Sequence, residues 1–274
     1  MGAIRPTALW PLVRSMRHYD IAGMPPGVHI GMPSATVTLV IPLGAPLDLA
    51  MPAIGRRAMT SCVSGLHDGP AAIHHDGTQR GLQLDLAPLG VRTLFGVPAA
   101  DLAHTAVGLD SVLGDRQADQ LLDQLACAPD WPHRLALLER YLSLRLRGHR
   151  PALPRPEVAH AWAMLARTGG TARIGDVASE VGWSTRHLAD QFTAAVGATP
   201  KTVARLLRFS RSVRMIGRGA PPGDAAARCG YADQAHLTRE WRRMAGTTPS
   251  RWPHQDALAN VQDTTGRAPA ASTA

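Results

Sequence analysis

The sequence predicts an α+β protein of two domains: a small β-barrel-like N-terminal domain that continues into helices, and an all-α C-terminal domain with two helix-turn-helix units. Three observations support this prediction. Strand-like segments fill the chain to about residue 87, helical patterns follow from about residue 91, and the pattern of residues 176–200 occurs twice. The 274 residues, 45% of them hydrophobic, are enough for two ordinary domains with buried cores.

The N-terminal strands are recognised by alternation and by turn residues. In GLQLDLAPLG, residues 81–90, three leucines alternate with polar residues, as is typical of a half-buried strand. Residues 30–47 carry no charge over 18 positions, which raises the question of a membrane span, but their prolines and glycines favour strands and turns. Because residues 1–20 do not resemble a secretory signal, we expect a soluble, cytoplasmic protein with no membrane partner.

Helical patterns run from about residue 91 to a linker. On the last of these helices Leu135, Leu138, Leu142 and Leu146 form an apolar stripe, which is either core or the seam of a homodimer. The following run RLRGHRPALPRP, residues 145–156, contains three prolines and a glycine, which is typical of a linker. We therefore predict an N-terminal domain at 1–150, a linker at 151–156, a C-terminal domain at 157–254 and a flexible tail at 255–274.

The positive charge is concentrated near the C-terminus. Residues 1–154 carry a net charge of +1 and residues 155–253 a net charge of +8, while the tail from His254 carries −1. A concentrated positive field suggests a polyanionic partner, either nucleic acid or an anionic membrane face, unless it is only a soluble arginine-rich surface. The three cysteines are too few and too far apart for a disulfide framework or a CxxC-type zinc site.

The clearest signal in the chain is an internal repeat. The run DVASEVGW, residues 176–183, recurs as DAAARCGY at 224–231, and the later Gly-x-Thr-Pro at 197–200 recurs at 246–249. Each copy predicts a short helix, a turn with glycine, a second helix and a stop, which is the pattern of a helix-turn-helix. Gly182 suits a turn that needs positive φ, and Ser184 suits the N-cap of the second helix.

A joining helix is predicted between the two copies, at about residues 201–217. Arg205, Arg208, Arg211 and Arg214 recur every three residues along one side of it, while apolar residues mark another side. These arginines either form a solvated face or contact phosphate.

The repeat resembles the DNA-binding domain of AraC/XylS-family transcriptional regulators. The resemblance covers residues 157–253 and rests on the runs IGDVASEVGWSTRHLADQF, VGATPKTVARLLRFSRSVRMI and AARCGYADQAHLTREWRRMAGTTPSRW. It implies seven helices, with the two units reading successive major grooves on one face of double-stranded DNA. Adjacent turns of DNA are about 34 Å apart, a separation that one rigid joining helix can set.

Helix phase selects the side chains that reach DNA. With Leu188 and Leu237 facing inward, other residues near the start of each second helix face outward, where base edges are read. We predict base contacts from Arg186, Asp190, Gln234 and Arg239, and phosphate contacts from Arg205, Arg208, Arg211 and Arg242.

Three positions on the second helices, one acid and two histidines, carry further predictions. The resemblance leads us to expect arginine at Asp190, as at Arg239; the acid either accepts from cytosine N4 or pairs with Arg186. His187 and His236 each precede a core leucine, and we predict that they pack rather than read bases.

The N-terminal domain carries weaker signals. In the order of its elements it resembles the cupin-related sensing domains in outline, which implies a small-molecule effector and dimerisation. The family resemblance also implies contact with RNA polymerase, as in activators. We expect no cofactor and no catalytic residue.

Three functions other than transcriptional regulation have some support in the sequence. A metal-dependent sensor would use the polar residues His67, Asp68, His74, His75 and Asp76, although His-Asp-Gly is also ordinary turn chemistry. A DNA-tethered enzyme would need a reactive Cys62, whose apolar, strand-like surroundings favour an inert thiol. A structural nucleoid protein would bind DNA with little sequence preference. The sequence favours a sequence-specific transcriptional regulator.

Overall fold

The structure, a computed structural model, describes residues 3–4, 9, 12–148 and 153–252, and the N-terminal domain in it contains two antiparallel sheets. In spatial order, the first sheet comprises β1 (Ala3–Ile4), β2 (Val13–Ile21), β9 (Gln79–Leu86), β4 (Val37–Pro42), β7 (Cys62–Ser64) and β10 (Ala106–Val107). The second comprises β3 (Gly27–Gly31), β8 (Ala71–His75), β5 (Leu47–Met51) and β6 (Gly55–Met59).

The α+β class is confirmed, but the β-barrel-like description is wrong because the sheets do not close. A closed barrel needs every strand paired on both sides. Among the described residues, β1 and β10 end one sheet, and β3 and β6 end the other. The edge strands β1 and β10 pair over only two residues each. The alternation of leucines in β9 is confirmed, since Leu82, Leu84 and Leu86 are all buried.

The helices of the N-terminal domain follow the strands. They are α1 (Pro88–Phe95), a 3₁₀ helix (Ala99–Leu102), α2 (Asp110–Leu113), α3 (Asp115–Cys127) and α4 (Trp131–Gly148). On α4, Leu135, Leu138 and Leu142 are buried and Leu146 is half-buried against the same core. The leucine stripe is therefore core.

The described part of the C-terminal domain contains α5 (Pro156–Arg167), α6 (Ile174–Glu180), α7 (Thr185–Val196), α8 (Pro200–Gly217), α9 (Pro222–Arg228) and α10 (Gln234–Ala245). The resemblance implies seven helices; six lie within the described residues, and the seventh stays a prediction. The predicted linker lies partly, and the predicted tail wholly, outside the described residues.

One continuous core joins the two domains, with the 3₁₀ helix and α1 packed against α7. The C-terminal helices are thus held by the N-terminal domain as well as by one another. None of the helices within the described ranges has the length and apolar character that a membrane span needs.

Candidate nucleic-acid interface

The two copies of the repeat form two similar helix-turn-helix units, α6–α7 and α9–α10. Each turn contains a glycine with positive φ, Gly182 at 72° and Gly230 at 75°. Each second helix begins at a side-chain cap: Ser184 Oγ accepts from the backbone N–H of His187, and Asp233 Oδ1 from that of His236. We call the capped helices, α7 and α10, the reading helices.

The reading helices are fixed by buried apolar faces. Leu188, Phe192 and Val196 of α7 are fully buried, and so are Leu237 and Trp241 of α10. The burial of such side chains stabilises the fold by about 1.5–3 kcal/mol each. The predicted inward faces of both helices are confirmed.

The joining helix α8 anchors the second unit through a buried polar contact. Trp241 Nε1 donates to Ser212 Oγ over 2.9 Å, and Ser212 Oγ donates to the carbonyl oxygen of Phe209. The Phe209 and Trp241 rings meet edge to face, with centroids 5.3 Å apart. Because every member of this group is buried and paired, α10 has one defined orientation on α8.

The predicted base-reading residues lie on the open side of the reading helices. Arg186, Asp190, Gln234 and Arg239 are all exposed, as is Arg242. Within the described residues, Arg186 and Asp190 do not form the ion pair that was one explanation of the acid at 190. The outward set therefore presents its polar groups to solvent, where DNA can approach; contact with bases or phosphate stays a prediction.

The two histidines pack against the turns of their own units. The His187 ring meets Trp183 edge to face at 4.6 Å, and the His236 ring meets Tyr231 in the same way at 5.3 Å. Both histidines make packing contacts, and that they do not read bases stays a prediction. The equivalent contacts show how closely the two units repeat.

The arginines of α8 already have intramolecular neighbours. Arg205 Nε and Nη2 donate to the Glu240 carboxylate over 3.0 and 3.3 Å. The Arg208 guanidinium lies over the Tyr231 ring, 5.6 Å from its centroid. Arg211 is half-buried. Their phosphate contacts stay predictions, and helix periodicity gave no sign of the groups that cover them.

The polar residues of the N-terminal domain are not gathered into one site. The His67 ring bonds the carbonyl oxygen of Gly69, Asp68 pairs with Arg243, and His75 and Asp76 each accept a backbone N–H of the 75–78 turn. No group of three His, Cys, Asp or Glu side chains within the described ranges could hold a metal ion. Burial raises the pKa of Cys62 to about 12, which keeps the thiol protonated.

A cavity of about 350 Å³ lies between the two domains, and sequence reasoning missed it. Arg14 and Arg17 of the N-terminal domain and Arg214 of α8 line it, together with Asp85, which pairs with Arg17. Its apolar walls come from both domains, with Met32 and Ala35 from the N-terminal domain and Trp162 and Leu207 from the C-terminal domain.

Two buried polar atoms of residues that line this cavity have no protein partner within the described residues. They are the indole Nε1 of Trp252 and the Oγ of Ser210, and both residues line the cavity. No sequence signal points to this site, because its lining residues lie on elements distant along the chain.

Comparison with known proteins agrees with this geometry. A family model described as a helix-turn-helix domain matches residues 177–255. A curated protein, the uncharacterized HTH-type transcriptional regulator YbfI of Bacillus subtilis (strain 168), is 33% identical over 64 residues, which are 23% of each chain. The match thus spans less than a quarter of that relative's length.

The whole fold is similar to that of ToxT from Vibrio cholerae. A structure of the O395 protein bound to (E)-4-(8-methylnaphthalen-1-yl)but-3-enoic acid has a TM-score of 0.55 at 10% identity, covering 88% of this chain and 98% of that one. A structure of ToxT described as bound to an unsaturated fatty acid has a TM-score of 0.51 at 11% identity, with 88% and 95% coverage. At these identities the likeness shows the fold.

Proposed function

We propose that this chain, whose C-terminal domain is an AraC-type helix-turn-helix domain, is a sequence-specific DNA-binding transcriptional regulator modulated through its N-terminal domain. The observation that carries the proposal is the pair of capped, well-packed reading helices joined by one continuous helix, α8, that packs against both units. A single chain built in this way can place two helices in successive major grooves. Affinity would come from arginine contacts to phosphate, and specificity from side chains at base edges.

Selection of bound sites from a random DNA library by the full chain tests this function. We expect enriched sites to contain two short elements about one helical turn apart. Two such pairs in one site would indicate that a homodimer binds. Enrichment of no sequence would favour the nucleoid alternative and overturn the proposal.

We further propose that the effector is an apolar molecule with a carboxylate, bound in the cavity between the domains. Three arginines and one acid leave the lining with a net positive charge. Trp252 and Ser210, which also line the cavity, each have a donor atom without a protein partner within the described residues. Both ToxT ligands named above are carboxylic acids. A volume of about 350 Å³ is in the range of small-molecule sites.

Calorimetry with an unsaturated fatty acid and with its methyl ester tests the effector class. The acid should bind and the uncharged ester should bind much more weakly. Arg214→Gln should lower the affinity about tenfold or more, since a hydrogen bond to a charged group is worth about 1.5–3 kcal/mol. Arg218→Gln, an exposed arginine at the end of α8 outside the cavity, is the matched control. Equal binding of acid and ester would contradict the proposal.

The enzyme alternative has a direct test in thiol alkylation. Cys127 is exposed, whereas Cys62 is buried with its pKa raised to about 12. In the folded protein we expect alkylation at Cys127 and none at Cys62. Rapid modification of Cys62 would instead favour the DNA-tethered enzyme.

A homodimer, contact with RNA polymerase and a cytoplasmic location stay predictions.

A further inference from the structure

The N-terminal domain contacts both reading helices at equivalent points of the repeat. Gly197 ends α7 and Gly246 ends α10, both in the left-handed conformation. A Cβ at Gly197 would lie 2.8 Å from the carbonyl oxygen of Ala99 on the 3₁₀ helix, and one at Gly246 would lie 4.0 Å from the Pro70 ring. One face of the N-terminal domain therefore bridges the C-terminal ends of both reading helices.

An ion-pair cluster fastens the second of these contacts. Asp68 Oδ2, in the loop between β7 and β8, lies 2.8 Å from Arg243 Nη2 and 3.6 Å from Arg205 Nη1. Arg205 in turn holds Glu240 with two hydrogen bonds. Two arginines and two acids thus connect the N-terminal domain, α8 and α10. The side chains of Arg205 and Glu240 are only 15% and 16% exposed, so this pair is well shielded from solvent.

The loop that presents Asp68 is itself firmly held. A Cβ at Gly65 would lie 1.8 Å from the carbonyl oxygen of Leu102, so the loop packs directly on the end of the 3₁₀ helix. The Leu66 carbonyl oxygen accepts the N–H of His104, and the His67 ring donates to the Gly69 carbonyl oxygen. Asp68 is therefore a fixed acid, which keeps the cost of ordering it low when it pairs with an arginine.

Arg243 lies where a DNA phosphate could also reach it. It follows Arg239 by four residues, so the two side chains lie one above the other on nearly the same face of α10. Its side chain is 57% exposed, in contrast to that of Arg205. A phosphate at the edge of the groove would compete with Asp68 for this guanidinium.

We infer that Asp68 is an interdomain latch: its carboxylate withholds Arg243 from DNA and adds a negative charge beside the second reading helix. The inference rests on the proposed function, since a latch of this kind matters only if α10 approaches DNA. With the latch closed, the N-terminal domain lowers DNA affinity without touching a base-reading residue. With the latch open, Arg243 becomes one more phosphate contact.

Removal of the carboxylate in the full chain tests the latch. Asp68→Asn keeps the size of the side chain and should tighten binding to a selected site about threefold at moderate salt. Because one more phosphate is contacted, the slope of log affinity against log salt should steepen by about 0.9. The gain in DNA affinity from Asp68→Asn should therefore be about 3.5 times larger at 50 mM than at 200 mM salt.

The matched control is Asp76→Asn, at the other end of β8. It makes the same change of charge in the same domain, and Asn keeps the oxygen that accepts the Thr78 N–H. We expect it to leave the salt slope unchanged. In an Arg243→Gln background, Asp68→Asn should no longer steepen the slope, because the freed cation is gone.

The outcomes separate the latch from the proposed function. If the unsubstituted chain selects no site from random DNA, the proposed function fails and the latch falls with it. If it binds a site but Asp68→Asn and Asp76→Asn have the same slope, the latch alone is wrong. A steeper slope that persists in the Arg243→Gln background would also overturn it.

Discussion

Arg239→Ala should change which base pair the protein prefers at one position of its site. Arg239 is exposed, stands one turn into α10 and has no side-chain partner within the described residues, so its removal should change the folding stability by no more than about 0.5 kcal/mol. An arginine at this position can bind guanine O6 and N7 together, which is worth about 1–3 kcal/mol of discrimination. The preference at that base pair should fall by about fivefold to 150-fold.

The assay is binding to every single-base variant of a selected site at two salt concentrations. Arg242→Ala is the matched comparison, because Arg242 is exposed on the same helix and is predicted to contact phosphate. It should weaken all variants alike and lower the salt slope by about one. If Arg239→Ala also weakens all variants uniformly, the assignment of Arg239 as a base-reading residue is refuted.

Two further predictions concern the fold beneath the interface. Ser212→Ala should destabilise the protein by about 1–3 kcal/mol in chemical denaturation, because it leaves the buried Trp241 Nε1 without an acceptor. The control is Ser210→Ala, on the same helix, which should change stability far less because Ser210 Oγ has no partner to lose within the described residues. Equal losses of stability in the two variants would contradict this reasoning. Gly197→Ala should lower the folding stability clearly more than Gly182→Ala does. Both glycines have positive φ, but only a Cβ at Gly197 collides with the N-terminal domain. Equal losses of stability would show that this contact between the domains adds nothing.

The local elements of the C-terminal domain could be predicted from sequence because their signals are local. A cap, a turn glycine and an apolar stripe lie within a few residues of one another, and each of these signals occurs in both copies of the repeat. Ser184 at the start of α7 and Gly182 in its turn are examples. The class of the N-terminal domain was predicted in the same way from the alternation in β9.

Contacts between distant parts of the chain could not be predicted. Periodicity places Arg205 and Arg208 on one side of α8, but it does not say that Glu240 and Tyr231 cover them. Asp68 looked like part of a turn cluster, and its partner Arg243 lies 175 residues away. The cavity between the domains exists only when both are in place.

Whether the sheets close into a barrel could not be predicted either, because closure also depends on contacts between distant parts of the chain. Strand patterns such as β9 predict a half-buried sheet, but the pairing of edge strands decides whether two sheets form one barrel. That pairing depends on short elements such as β1 and β10, which carry almost no pattern of their own.

The central claim is that one chain reads two major grooves with two rigidly joined helices, and a change of spacing tests it most directly. Five base pairs inserted between the two elements of a selected site turn one element by about half a helical turn. Because α8 is one continuous helix whose buried face packs against both units and which cannot stretch, we predict that only one reading helix can then engage, with a loss of affinity of about a hundredfold or more. Unchanged affinity for the lengthened site would contradict the account.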